Sequence, residues 1–65
     1  MWMVVGMANN KSMANNMQQA LQDEGILVKV RAISVRAKSE SNTYELQVLE
    51  SEADSSREIL LENGF

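Results

Sequence analysis

A chain of 65 residues with neither cysteine nor histidine has to hold its fold together by packing, either on itself or against another chain. At this length only about 60% of the unfolded surface can be buried, and such a core rarely supplies more than roughly 3–5 kcal/mol. Small domains commonly add disulfides, a structural metal or a partner subunit. Without cysteine and histidine the first two lose their usual ligands, so self-association is the expected staple. The length allows a single domain, residues 1–65. The lack of cysteine also fits a reducing compartment, and a cytoplasmic location is the expectation.

The opening run Met1-Trp2-Met3-Val4-Val5-Gly6-Met7-Ala8 is apolar on both alternating sets. No basic segment precedes it, Lys11 follows it, and it is too short to span a bilayer. It reads as a strand over 2–8, covered at least in part on both faces, rather than as a targeting or membrane segment. Gly6 marks a bulge or a close backbone approach.

Met13, Ala14, Met17, Ala20 and Leu21 then fall on one helical stripe. Asn9 or Asn10 serves as N-cap. Gly25 suits the left-handed position that closes a helix, with Ile26 folding back on Leu21. Asp23 and Glu24 sit at the unfavourable end of the helix dipole, a cost of roughly a few tenths of a kcal/mol that the stripe and the stop outweigh.

From Ile26 to Val35 the pattern is that of a second strand, with Ile26, Val28, Val30 and Ala32 on one side and Lys29 and Arg31 on the other. The apolar set then moves to Ile33 and Val35, which predicts a bulge or bend near Ala32-Ile33. A polar connector over 36–42 leads to a third strand over 43–50, with Tyr44, Leu46 and Val48 inward and Glu45 and Gln47 outward. Ser51 is the expected N-cap of a last helix, with Glu52 and Asp54 in its first turn. Ala53, Ser56, Ile59 and Leu60 form its buried side, and Asn63-Gly64 stops it.

The order strand, helix, strand, strand, helix predicts an α+β fold. The long crossover makes the first two strands parallel and right-handed in connection, and the short connector makes the second and third antiparallel. Placing the third strand between the others gives the order 1-3-2 with both helices on one face, a ferredoxin-like unit without its fourth strand. This leaves the first strand as an apolar edge without lysine or proline to protect it. The helix-free face would carry Trp2 or its alternates on the first strand, with Leu27 and Leu49, and exposed apolar area of that kind marks an association surface. Trp2, Met3, Val5, Leu27 and Leu49 are therefore the expected interface residues, in a homodimer or with a protein partner that adds a strand.

Two stretches carry a family resemblance. Leu21 to Arg31 runs from a helix end through Glu24-Gly25-Ile26 into a valine-rich strand. Tyr44 to Leu60 holds Leu46-x-Val48, an acidic turn and a helix with Arg57-Glu58-Ile59-Leu60. Together they cover nearly half the chain, which resembles a family of short, uncharacterised bacterial signal-transducing domains. Leu49 departs from it where a proline is common, and Ser56 where a small apolar residue is common. The resemblance implies a ferredoxin-like fold and a cytoplasmic regulatory or interaction role, and it transfers no catalytic residue.

Chemistry is sparsely equipped. Nucleophilic and acid–base sites usually draw on histidine, cysteine or a positioned carboxylate pair, and the first two are missing. Ser12, Ser55 and Ser56 read as helix-surface residues. Glu50, Glu52 and Asp54 read as a solvated helix start, since no loop has the glycine-centred spacing of a calcium hand, and no phosphate loop exists. The expectation is a non-enzyme that needs no cofactor.

The formal charge of −3 argues against general nucleic-acid binding, where a basic footprint is expected. The basic residues Lys29, Arg31, Arg36 and Lys38 nonetheless lie together. They read either as edge protection or as a possible anion-binding site, which would make the chain a sensor of a small anionic metabolite at a subunit interface. Met13 and Met17 read as core filler. Met1, Met3 and Met7 admit both dimer packing and an adaptable groove, and Trp2 is a dimer anchor or a lid over the sheet edge.

Overall fold

A computed structural model describes residues 1–33 and 43–65. The elements are β1 (Trp2–Ala8), α1 (Lys11–Asp23), β2 (Val28–Ile33), β3 (Thr43–Leu49), a single 3₁₀ turn (Glu50–Glu52) and α2 (Ala53–Glu62). The sheet has three strands in the order β1-β3-β2. Both outer strands run antiparallel to β3, so they are parallel to each other, as expected for an α+β unit of this connectivity.

Register decides which residues meet the helices. Met3 stands opposite Val48, Gly6 opposite Leu46 and Ala8 opposite Tyr44. On the other side Val28 faces Val48 and Val30 faces Leu46. Residues directly opposite share a sheet face, so these form the helix side, where Leu46 and Val48 are fully buried. Ala14, Met17 and Leu21 of α1 and Ala53 and Leu60 of α2 complete the core.

Helix α1 is bounded as its sequence predicts. The Asn10 side chain accepts from the Met13 N–H at 2.8 Å, satisfying one of the free donors at the helix start. At the other end Gly25 has φ 83°, its N–H donates to the Gln22 carbonyl at 2.9 Å, and the Ile26 N–H donates to the Leu21 carbonyl at 3.1 Å. This paired pattern is a Schellman ending, and Ile26 is buried behind it. The end of α2 repeats it, with Gly64 at φ 87° and Phe65 donating its N–H to the Leu60 carbonyl at 2.9 Å.

Four details depart from the sequence expectations. Strand β2 begins at Val28 rather than Ile26, because Ile26 is spent on closing α1. Its ladder with β3 is regular from Val28 through Ile33, so there is no bulge between Ala32 and Ile33. The irregularity lies in β1, beside Gly6 as that residue signals, where Val5 is inserted between Val4, paired with Gln47, and Gly6, paired with Leu46. Ser51 does not cap α2: the chain leaves β3 through the 3₁₀ turn, and α2 starts at Ala53 with Glu52 in the cap position and no side-chain cap bond. Finally, Ser56 is fully buried, as its place on the buried side of α2 predicts and against its reading as a helix-surface residue, and its Oγ has no hydrogen-bond partner among the described residues.

Candidate functional site

The side of the sheet opposite the helices is built by the remaining register rows. Trp2 pairs with Leu49, Val4 with Gln47 and Met7 with Glu45. Across β3, Lys29 pairs with Gln47, Arg31 with Glu45 and Ile33 with Thr43. Trp2, Val4, Met7 and Leu49 are all exposed, so this open face has an apolar flank along β1 and a cationic flank along β2. Leu27, 65% exposed, precedes β2 at the end of the sheet where Trp2 and Leu49 meet.

The two flanks touch through one contact. Lys29 Nζ stands 4.5 Å from the centroid of the Trp2 ring, although the two residues belong to strands separated by β3. The indole therefore lies across the middle strand on the open face instead of projecting beyond the edge. Gln47 Nε2 donates to Glu45 Oε1 at 3.1 Å, which holds the central acceptor in place. Arg31 faces Glu45 across the ladder, yet the ion pair found among the described residues is Arg57–Asp54. Lys29 and Arg31 are thus brought to one face. Arg36 and Lys38 lie outside the described residues.

The expected interface set is divided by the pleat. Trp2 and Leu49 share the open face, but Met3 points to the helix side and is half-buried against the core. Val5, displaced by the bulge, also packs against the core. The backbone of β1 remains available along its outer edge. Glu50 donates its N–H to the Met1 carbonyl at 2.9 Å. Antiparallel pairs alternate between bonded and non-bonded, so Met3 bonds to β3, while Trp2 and Val4 turn their N–H and C=O groups outward.

A feature that sequence reasoning missed lies at the same edge. A cleft of about 400 Å³ is lined by the consecutive residues Val5, Gly6 and Met7. Val5 and Gly6 both face the helix layer around the bulge, whereas Met7 belongs to the opposite face, so contact with all three places the mouth of the cleft at the edge of β1. Its other walls come from Met13 and Met17 of α1, Leu60 and Leu61 of α2, and Phe65. Arg57 is the one charged residue in the lining. The stripe of α1 signalled the methionines, but only the bulge at Val5 and the second Schellman ending bring β1 and Phe65 to them.

Among the described residues no group of three acids is arranged to hold a metal, and no helix is long and apolar enough to cross a membrane. No family model, curated protein or solved structure matches the chain. The functional reading therefore rests on geometry.

Proposed function

We propose that the chain is a regulatory protein-interaction module that acts as a homodimer joined along β1, with Trp2 and Val4 as its edge contacts. The observation that carries this reading is the outer edge of β1, where Trp2 and Val4 offer unpaired backbone groups beside exposed apolar side chains. An edge of this type is a template for another strand. The bulge at Val5 confines regular pairing to the segment before it, which gives a short and reversible joint rather than an extended one. Trp2 and Leu49 then continue the contact onto the open face.

Sedimentation equilibrium of the full chain over a wide concentration range tests the proposal. The expected result is a dimer that Trp2→Ala and Val4→Lys both shift toward monomer. Val4 is 42% exposed, so its lysine variant keeps the fold while protecting the edge. A wild-type chain that stays monomeric, or a dimer mass unchanged in both variants at micromolar concentration, rejects the reading.

A further inference from the structure

We propose that the cleft beside β1 is a binding site for a small amphipathic anion, an apolar carboxylate whose carboxyl group meets Arg57. The volume of about 400 Å³ falls within the roughly 300–1,000 Å³ of small-ligand pockets. Three of the lining residues are methionines, Met7, Met13 and Met17, whose unbranched and polarizable side chains adapt to irregular apolar guests. Such a wall favours an alkyl or aryl body.

The head group follows from charge. Apart from Glu40 and Glu45, every acid of the chain lies in the helices or at their ends, where Lys11 and Arg57 are the cations. Arg57 stands in the cleft lining and is engaged by a single 3.3 Å contact from Nη1 to Asp54 Oδ1. Both partners are exposed, so water screens that pair and leaves it easily exchanged. A guanidinium carries five donors in a planar fork matched to a carboxylate, and one contact leaves most of them for a ligand. Of the two cations of the helical layer only Arg57 borders the cleft, which makes it the point at which an anion is held there.

Gly6 connects the site to the fold. A Cβ at this position would stand 2.7 Å from Met17 Cε and 3.3 Å from Leu60 Cδ1, and both of those residues line the cleft. The glycine thus lets Met17 sit against the strand as part of the cleft wall.

The test is a titration of the full chain, labelled on its methionine methyls, with octanoate and with octan-1-ol as the neutral analogue. Saturable shifts of the Met13 and Met17 methyls with octanoate are expected, at least about ten-fold weaker with octanol and in Arg57→Gln, the loss of a charge-assisted contact. Leu61→Glu, at a position 74% exposed, adds a repelling charge without touching the core and weakens octanoate in the same way. Methyls that do not move with octanoate overturn the proposal, as does equal binding of octanol or an unaltered Arg57→Gln titration. Octanoate shifts that disappear as the chain concentration rises also overturn it, because a second copy then fills the cleft. The site does not depend on the dimer: sedimentation of the ligand-free chain reports the dimer and titration of the dilute chain reports the cleft, which separates failure of one reading from failure of the other.

Discussion

Lys29 and Trp2 meet over a strand that belongs to neither. The ammonium stands 4.5 Å from the indole centroid, so a residue near the chain's start on β1 and one on β2 are held together on the open face above Leu49 and Gln47. Cation–π pairs at exposed sites contribute about 0.5–1 kcal/mol, a sizeable share of the few kcal/mol available to a domain of this size.

Replacing Lys29 by methionine keeps the aliphatic stem over the ring and removes the charge. The expected cost is about 0.5–1 kcal/mol in chemical denaturation, with a changed tryptophan emission because Trp2 is the chain's only indole. Raising the salt concentration should narrow the difference between the two proteins, since exposed charges are screened. Identical emission and identical midpoints would show that the ring does not sense the ammonium in solution.

Ser56 is fully buried and its hydroxyl lacks a partner among the described residues. A buried donor left unmade costs about 1–3 kcal/mol, and alanine is also the better helix former. Ser56→Ala should therefore stabilise the chain by about 1 kcal/mol, raising the urea midpoint with an unchanged slope. A loss of stability would mean that the hydroxyl is satisfied in solution.

Gly25 and Gly64 end their helices with the same left-handed geometry, φ 83° and 87°, and neither has an atom within 4 Å of an added Cβ. Substitution at either is thus purely a question of backbone conformation, at about 1–2 kcal/mol for an L residue. The consequences differ by position. Gly25→Ala should lower stability by about 1 kcal/mol because Ile26, buried in the core, depends on that turn. Gly64→Ala should cost less, because Phe65, the residue that this turn places, is exposed whereas Ile26 is part of the core. Asparagine at position 25 should recover part of the loss. Denaturation midpoints of the three variants check the order.

How much of this was legible in the sequence depends on whether a feature was local. Strand β1, both glycine stops, the α1 stripe and the strand order all follow from periodicity and turn chemistry within a few residues. What was not legible came from contacts between distant segments. The apolar shift at Ala32-Ile33 looked like a bulge, but the ladder with β3 runs regularly through Ile33. The bulge at Val5 leaves no mark in the alternation, since β1 is apolar on both sets, but Gly6 signals it, and both a register shift beside Gly6 and a close approach to Met17 are found there. Ser51 looked like a cap because serine often is one, and the interposed 3₁₀ turn has no sequence signature as strong. Trp2, Leu49, Lys29 and Arg31 were named correctly as surface residues, yet the reach of Trp2 to Lys29 needed the register of both ladders. The cleft required β1, both helices and Phe65 at once, and no single segment announces it.

Gly6 and Met17 supply the strictest check on the packing itself. The ideal Cβ of residue 6 falls 2.7 Å from Met17 Cε, closer than van der Waals contact allows, and Met17 is buried. Gly6→Ala must therefore push the methionine out of its place. The terminal methyl of a flexible side chain can move, so the expected loss is about 1–3 kcal/mol, the usual cost of overpacking, rather than failure to fold. The conflict disappears if Met17 is shortened. In a Met17→Val background, where no Cε exists, Gly6→Ala should cost less than in the parent, giving a coupling energy of about 0.5–3 kcal/mol in the double-mutant cycle. Additive losses would mean that the two residues are not in contact in solution. The cleft would then lack the wall that Gly6 permits, and octanoate binding would have to be judged on the Arg57 side alone.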